Sequence, residues 1–490
     1  MNRIPNKIIT HSGLIILIIV MGTLSMLFHQ NIQIIDALSS EPVPGFGIHI
    51  SAWRILFEPF TGPLLFYLRA DQPLLEFAIL FLWIIVFSLI SKLLRLFLPA
   101  KKTQENPNAH GLLTWLKSLP LIVATCLGLL WLIIYLPLPA NTIINQTEDS
   151  ILLNTHSHTE YSHDGIISTK RLQQWHKRNG FDAFFITDHN HHKHTMDAVR
   201  AQDQGTFPEK PLMIIGEEFS GSNHMTLLGL KRNFITRGLS DQQVIDSTHE
   251  DQGVVIVAHW FDAERENIPF FLDMGVDGFE IANQASGLKY EQRIFNAITE
   301  ACISNNLIMN GVVDYHGYGS SCFAWNALEI PGWHQMDPAH KREAIMQILR
   351  SRDMSRIRVL LYHDRKVFDR SRVLLSPLYS FVNYFRTLNI LQLLSWILWL
   401  ILLVILRSRL ANRIKGSISF RCMQTVALMS GLFLLTNGAL FLFKAKRITE
   451  YNDIYAEYSA YLLWGGVFIL LYSFLLIFFE AKKQANIRKR

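Results

Sequence analysis

The sequence predicts an α/β chain in which a soluble barrel domain stands between two regions of transmembrane α-helices. Three observations lead to this prediction. Half of the 490 residues are hydrophobic, and the longest apolar stretches lie toward the two ends of the chain. Fifteen of the 19 histidines lie between residues 148 and 370. In that central part, short apolar runs alternate with helical patterns, which is typical of βα units and a parallel barrel.

About six apolar stretches approach the length of about 20 residues that a bilayer-spanning helix needs. They lie at residues 13–28, 73–98, 119–138, 389–406, 421–443 and 459–479. We therefore divide the chain into an N-terminal membrane region (1–147), a central soluble domain (148–370) and a C-terminal membrane region (371–490). The first stretch follows Arg3 and Lys7 as a signal peptide would. It lacks a nearby small-residue cleavage site and is interpreted as an uncleaved anchor.

The charges of the domain and of the membrane regions differ in sign. Residues 148–370 carry 22 Lys and Arg against 30 Asp and Glu, a net charge of −8, whereas the remainder carries +14. Nucleic-acid enzymes usually carry a basic working surface, so no nucleic-acid partner is expected.

The basic residues of the membrane regions also predict an orientation. They cluster before the first stretch, around the loop between the second and third, between the fourth and fifth, and after the sixth. The positive-inside rule places these clusters in the cytoplasm, which predicts an integral protein of the cytoplasmic membrane with an extracytoplasmic domain. Lys444, Lys446 and Arg447 count against this topology. An outside location would allow Cys302 and Cys322 to pair, although two free thiols fit equally well.

The histidines of the domain occur beside carboxylates, and most of these groups end an apolar run. The segments are His156–Thr159, His163–Gly165, Thr187–Asn190, Gly216–Glu218, His224, Ala258–His259 and Asp314–His316. Imidazole and carboxylate groups hold Zn²⁺, Mn²⁺ and Fe²⁺ in proteins. Residues that follow successive barrel strands meet at one end of the barrel, where active sites form. The pattern therefore predicts a metallohydrolase.

These segments resemble the motifs of the PHP (polymerase and histidinol phosphatase) family of metal-dependent phosphoesterases. The counterparts are His156, His158 and Asp164-Gly165 for the first motif, Thr187-Asp188-His189 for the second, His259 for the third, Asp314 and His316 for the fourth, and Gly216, Glu218 and His224 for the family's Gly-x-Glu and following His. The third motif has Ala258 where Pro is common, and the fourth lacks the usual preceding Gly-Ser. His163 adds a residue to the first motif.

The resemblance implies a distorted seven-stranded (β/α) barrel that holds two or three divalent metal ions, with zinc, manganese and iron as candidates. One ion would be held by His156, His158, Glu218 and Asp314. Glu218 would bridge to a second ion, held also by His224 and His259. A third would be held by His189, His316 and either Asp164 or His163, of which Asp164 matches the family position better. Glu218, Asp314 and His316 are expected to take part directly in catalysis.

The expected function is hydrolysis of a phosphate ester by metal-activated water, catalysed by a membrane-anchored enzyme. The membrane location makes a lipid head group or a cell-envelope component the candidate substrate. The alternative is a metal-binding sensor or scaffold that signals through its membrane helices without catalysis. A transporter is disfavoured because the apolar stretches contain few polar residues. The oligomeric state is left open.

Five polar residues in or beside these motifs are given other roles. Asp188 is interpreted as an orienting partner for a ligand. Glu217 is placed outside the ligand set, near the ligands or on the surface. His191, His192 and His194 are interpreted as the solvated start of a helix, with substrate contact as the alternative.

Overall fold

The structure is a computed structural model that describes residues 4–69, 73–97, 107–260, 267–285, 288–365, 370–411, 418–448 and 452–488. Arg3 and parts of the basic loops between the apolar stretches (98–106 and 412–417) lie outside the described residues. The α-helices of the described part are α1 (Ile4–Met26), α2 (Ala52–Leu56), α3 (Glu58–Tyr67), α4 (Pro73–Phe97), α5 (Pro107–Tyr135), α6 (Thr169–Arg178), α7 (Lys193–Asp203), α8 (Asp241–Glu250), α9 (Ile268–Asp273), α10 (Gln292–Ser304), α11 (Pro338–Ser351), α12 (Ser376–Arg386), α13 (Ile390–Ala411), α14 (Ile418–Ala445) and α15 (Ile454–Arg488).

The strands of the described part alternate with helices α6 to α11. They are β1 (Gln33–Asp36), β2 (Phe46–His49), β3 (Thr142–Asn145), β4 (Ser150–Asn154), β5 (Ala183–Ile186), β6 (Leu212–Ser220), β7 (His224–Leu228), β8 (Val254–Val257), β9 (Gly278–Asn283), β10 (Leu288–Lys289), β11 (Ile308–Val312), β12 (Ala324–Glu329) and β13 (Ile357–His363).

The long apolar helices coincide with the six predicted stretches, but fewer than six reach a spanning length in the described residues. α4, α5, α14 and α15 are long and apolar enough to cross a membrane. α13 qualifies only together with Arg372–Arg386, from which it is bent by 114°, and the described apolar part of α1 is the shorter Gly13–Met26. The structure therefore has four such helices, or five with the bent pair, which is compatible with membrane association.

The domain is built on one curled sheet of eleven strands in the order β1-β13-β12-β4-β5-β6-β7-β8-β9-β10, with β11 paired to β9. β4, β5 and β6 are parallel to one another, and β9 is parallel to both β8 and β11. β7 runs antiparallel to both of its neighbours, β6 and β8. The fold is thus mixed α/β, and the prediction of a parallel seven-stranded barrel is wrong in this respect.

The reversal at β7 has a simple cause. Only three residues, 221–223, separate β6 from β7. A parallel connection needs a dozen or more residues, so this link can only form a hairpin. β12 and β13 also run antiparallel to each other, and β12 joins them to β4. The sequence analysis did not identify β12 as a strand.

The curling of the sheet brings the carboxyl ends of β4 and β11 together. The backbone N–H of Asp314 donates to the carbonyl of His156 at 3.0 Å. Ser157 and Tyr315 form a parallel bridge beyond the strand ends. Fully buried apolar residues of the strands, such as Leu152, Phe184 and Ile256, pack on both faces of the sheet and stabilise it. This meeting point is where the candidate ligands collect.

One end of the apolar helix bundle abuts the domain. The N–H of Gly319 donates to the carbonyl of Ile134 near the end of α5 at 2.6 Å. At the end of α14, the ammonium of Lys444 lies 2.8 Å from a carboxylate oxygen of Glu160. Lys444 counted against the predicted topology, and a carboxylate of the domain balances its charge. Cys302 and Cys322 are free and buried.

Candidate metal centre

The structure brings all nine predicted ligands together where the carboxyl ends of β4 and β11 meet. They belong to six strands or the turns that follow them: His156 and His158 after β4, His189 after β5, Glu218 within β6, His224 at the start of β7, His259 after β8, and Asp314 and His316 after β11, with Asp164 on the loop that follows His158. The polar residues therefore follow the apolar strands as the sequence pattern predicts, even though the strands are not all parallel.

Glu218 lies at the centre of this group and is 1% exposed. Its Oε2 atom lies close to Nε2 of His156 (2.9 Å), His158 (3.1 Å) and His189 (3.3 Å). Its Oε1 atom lies close to Nδ1 of His224 (2.8 Å) and Nε2 of His259 (3.1 Å). Burial opposes ionisation of Glu218, but the surrounding imidazoles, His189 and His156 foremost, hold its pKa well below the usual value. One carboxylate thus contacts five histidines, as a group that bridges two cations would.

Three overlapping sets of donor atoms can each hold a metal ion, since the atoms of each set lie within 4.8 Å of one another. The first set is the predicted one, namely His156, His158, Glu218 and Asp314. The other two differ slightly from the prediction, being His189, Glu218 and His224, and His158, Asp164, His189 and His316. His259 is replaced by His189 in the second set, although it stays in contact with Glu218.

The geometry favours Asp164 over His163 as a ligand. Oδ2 of Asp164 lies 2.9 Å from Nε2 of His316 and 3.3 Å from Nε2 of His189. The side chain of His163 is 53% exposed, and its Nδ1 lies 3.8 Å from Asp164. The loop makes a tight turn toward the site at residue 165. Only glycine fits there, because a Cβ at that position would lie 2.0 Å from the carbonyl oxygen of Thr159.

The charges of the site favour positive ions. Burial disfavours the charged form of His158, but hydrogen bonds to Asp314 and Glu218 prevail and raise its pKa to about 10. In the same way, burial is outweighed at His259 by the hydrogen bond to Glu218, and its pKa rises to about 9. Burial likewise opposes ionisation of Asp314, but His156 and His316 lower its pKa. Imidazoles must lose their protons to bind metal, so cations and protons compete for this site.

Glu280 is a functional residue that the sequence analysis missed. It is fully buried, and its Oε1 accepts a hydrogen bond from Nδ1 of His156 at 2.7 Å. Its Oε2 accepts hydrogen bonds from the backbone N–H of His259 (2.8 Å) and from Nδ2 of Asn283 (3.1 Å). A carboxylate that binds Nδ1 leaves Nε2 of the imidazole available to a metal. The signal was a single glutamate within the apolar run of β9.

Substitution of Glu280 by Gln should weaken metal binding. An amide cannot accept hydrogen bonds from both His156 and His259, because one of its two terminal atoms is a donor. We expect metal affinity or kcat/KM to fall by about 10–100-fold, as for other partners of metal-bound histidines. Metal titration of the variant checks this, with the exposed Glu300→Gln on α10 as the control. Unchanged metal affinity in Glu280→Gln would contradict the assigned role.

Glu217 and His192 form a buried pair behind the site. Glu217 is fully buried and contacts Nδ1 of His192 and the hydroxyl of Thr236. Alternation along β6 points Glu217 away from the face that carries Glu218. Glu217 is therefore outside the ligand sets, as predicted, but it is not on the surface. The prediction of a solvated helix start is wrong for His192, which is 1% exposed.

Asp188 holds the loop that carries His158 instead of orienting an imidazole. Its two carboxylate oxygens accept hydrogen bonds from the backbone N–H (2.6 Å) and the hydroxyl (2.7 Å) of Thr159. His194 stacks on the ring of Tyr161 at 3.9 Å, and Nε2 of His191 bonds to the carbonyl of the same tyrosine at 2.7 Å. The second motif thus supports the first through its neighbours as well as through His189.

The loop that carries Asp164 is held by the start of α15. Nδ2 of Asn452 contacts the backbone carbonyls of Glu160 (3.2 Å), Ser162 (2.8 Å) and Gly165 (2.7 Å). Its Oδ1 accepts from the N–H of Tyr455 at 3.1 Å in the first turn of α15. The start of a long apolar helix therefore positions a candidate ligand loop. The sequence analysis missed this residue, and no local pattern marks it.

Substitution of Asn452 by Asp should impair the site more than it impairs the helix. The carboxylate can still accept from Tyr455, but it places negative charge against three carbonyl oxygens. We expect kcat/KM to fall about tenfold or more, since buried acceptors lose their donor. Asn389→Asp is the matched control, because Asn389 caps α13 by accepting from the N–H of Gln392 at 3.0 Å. Equal effects of the two variants would assign Asn452 to helix stability alone.

The fold and the site together define a mixed α/β chain whose clustered imidazoles and carboxylates can bind divalent metal ions. No protein-family model and no curated protein matches the sequence. Among solved structures, the chain is similar to a two-domain protein from Bacteroides vulgatus that contains a predicted PHP-like metal-dependent phosphoesterase, at 16% identity and a TM-score of 0.34 over 44% of this chain and 65% of that one.

Two further solved structures are similar at the same low level. One is a protein from Bifidobacterium adolescentis named as a metal-dependent phosphoesterase, at 16% identity and a TM-score of 0.28 over 34% of this chain and 88% of that one. The other is an amidohydrolase from Chromobacterium violaceum with bound sulfate and no metal, at 13% identity and a TM-score of 0.29 over 43% and 97%. The chain spans only 65% of the length of the Bacteroides protein. Identities and TM-scores this low give no information on the chemistry of this chain, which has to be inferred from its own residues.

Proposed function

We propose that the protein is a membrane-anchored phosphoesterase that uses two or three divalent metal ions, with zinc, manganese and iron as candidates. The observation that carries this proposal is the contact of one buried carboxylate, Glu218, with five histidines in overlapping donor sets. Adjacent cations stabilise the charge that develops on a phosphate ester and lower the pKa of bound water, which is the chemistry such ions supply. The donor types present suit these ions.

The residues of the chain have distinct proposed roles. Asp314 and His316 line a cavity beside the donor sets, so they face a bound ester as well as the metal ions. The Nδ1 atom of His316 donates to the carbonyl of Asp314 at 2.8 Å, which leaves Nε2 free to accept or to bind metal. Asn283 donates to Asp314 at 3.2 Å and holds that carboxylate in place. Glu218, Asp314 and His316 are the proposed catalytic residues.

The proposed location is the outer face of the cytoplasmic membrane. The end of α5 and the turn from α14 to α15 contact the domain, so the opposite ends of these helices lie on the far side of the bundle. The sequence places basic residues near those opposite ends, and the positive-inside rule assigns them to the cytoplasm. A reporter protein fused after residue 145 tests this location. Activity of the reporter only in the cytoplasm would contradict it.

Hydrolysis assays test the proposed function. The full chain, purified in detergent micelles and supplied with Mn²⁺ or Zn²⁺, should hydrolyse p-nitrophenyl phosphate or bis(p-nitrophenyl) phosphate. The doubly substituted His156→Ala/His158→Ala protein is the control and should be inactive. Turnover by the wild-type chain that does not exceed that of the control would contradict the proposal.

A sensor is the second candidate, and the contact between Asn452 and the ligand loop favours it. Occupancy of the third donor set would be transmitted directly to α15 through the carbonyls of residues 160–165. Stoichiometric metal binding without hydrolysis of any ester would favour this alternative.

A further inference from the structure

A cavity of about 470 Å³ connects the candidate metal centre with the membrane helices. Asp314 and His316 form part of its wall at the metal centre. The start of α4, at Pro73 and Leu74, and residues of α5 and α15 form the opposite part. Its volume lies within the range of about 300–1,000 Å³ in which proteins enclose small molecules. A ligand in this cavity would touch the catalytic residues and the apolar helices together.

Most of the wall of the cavity away from the ligands is apolar, although Ser321, Tyr318 and Tyr458 also line it. Leu68, Ile134 and Phe323 contribute hydrocarbon or aromatic surface. The polar side chain of Gln284 is held within the wall, since it donates to the carbonyl of Ser321 at 3.0 Å and accepts from the N–H of Phe323 at 2.8 Å. A sugar or a peptide would lose its water here and find few hydrogen-bonding partners in return. A hydrocarbon chain fits this surface.

The cavity lies at the level where the apolar helices begin. Leu74 lines it and is 64% exposed, so the cavity reaches the outer surface of α4 at the start of its apolar stretch. Trp131 and Tyr458, which pack edge to face with ring centroids 6.1 Å apart, close the other side. Tryptophan and tyrosine concentrate where a bilayer meets water. In the proposed membrane orientation, the cavity would open at the depth of lipid head groups and the first carbons of their chains.

We propose that the substrate is a membrane lipid phosphate ester, with its apolar chain in this cavity and its phosphate at Asp314 and His316. This inference rests on the proposed function and names its substrate class. In the reaction, the oxygen of water bonds to phosphorus and the bond between phosphorus and the ester oxygen breaks. The ester oxygen takes up a proton from that water. One water is consumed, and an apolar alcohol and a phosphate product are formed.

The test compares two esters with the same head group. Glycerol 3-phosphate and dihexanoyl phosphatidic acid differ only in the acyl chains, and the second can be used below its micelle-forming concentration. We expect the metal-loaded full chain to show a kcat/KM at least about tenfold higher for the lipid, because its chains are buried. Leu74→Trp should lower the ratio of the two kcat/KM values, because the larger side chain fills part of the cavity. Leu75→Trp is the matched control, since Leu75 is exposed on the same helix and does not line the cavity.

A binding experiment separates this inference from the proposed function. A phosphatidic acid with a photoactivatable diazirine in one acyl chain is added to the inactive His156→Ala/His158→Ala chain. We expect labelling of residues 313–323, a wall of the cavity outside the apolar helices, competition by dihexanoyl phosphatidic acid, and loss of label in Leu74→Trp.

The outcomes are distinct. Hydrolysis of both esters with equal kcat/KM and no label at 313–323 would overturn the lipid assignment and leave the phosphoesterase standing. Label at 313–323 without hydrolysis of either ester would support the lipid site and contradict the phosphoesterase.

Discussion

Substitution of Glu218 by Gln is expected to abolish phosphate-ester hydrolysis and to release bound metal. Both carboxylate oxygens contact imidazoles, Oε2 three of them and Oε1 two. An amide has only one acceptor atom and no charge, so two cations would lose their shared counter-charge. We expect kcat/KM to fall by roughly 10³-fold or more, the upper end of what loss of one electrostatic group costs. Kinetics and elemental analysis of the same preparation measure both effects.

Glu217→Gln is the matched control for this experiment. The same chemical change is made one residue away, on the opposite face of β6. Loss of the contacts with His192 and Thr236 should lower the melting temperature, because a buried hydrogen-bonded network is broken. Metal content and activity of the folded protein should remain. The reverse pattern, with activity lost only in Glu217→Gln, would exchange the roles of the two glutamates.

Substitution of Asp164 by Ala is expected to impair catalysis far more than substitution of His163. Asp164 contacts His316 and His189 and supplies the only carboxylate of the third donor set. His163 is half exposed and lies beside this set. We expect kcat/KM to fall by about 10²-fold in Asp164→Ala, and by less than about threefold in His163→Ala.

Metal analysis of these two variants shows which ion is affected. Asp164→Ala should lose one metal equivalent and retain those held by Glu218 and Asp314. Full activity in Asp164→Ala together with loss in His163→Ala would move the ligand by one residue. Loss of all metal in Asp164→Ala would show that the three donor sets fill as one unit.

The sequence predicted which candidate ligands lie together better than it predicted the directions of the strands. Most candidate ligands lie in or directly beside a short apolar strand, so local pattern and chemistry together singled out His156, Glu218 and Asp314. Strand direction depends on connection length and on partners distant in sequence, which is why the antiparallel β7 and the added β12 were not anticipated.

Glu280 and Asn452, which contact the candidate ligands or their loop, were not predicted from the sequence for a different reason. Glu280 lies in an apolar strand and resembles a core position, and its role appears only when the fold brings it within hydrogen-bond distance of His156. Asn452 contacts the ligand loop across about 290 residues of sequence. Long-range contacts of this kind leave no local pattern. In the described residues four or five helices, not six, are long and apolar enough to cross a membrane, and apolar length in the sequence does not reveal the 114° bend before α13.

Metal titration with activity measured on the same samples tests the central claim most directly. The full chain is stripped with a chelator and refilled stepwise with Mn²⁺ or Zn²⁺, and bound metal is counted by elemental analysis. We predict that hydrolysis is absent in the stripped protein, rises with bound metal and reaches its maximum at two or three ions per chain. The His156→Ala/His158→Ala protein should bind fewer ions and stay inactive. Full hydrolysis by the metal-free chain, or no stoichiometric metal binding by the folded chain, would contradict the account.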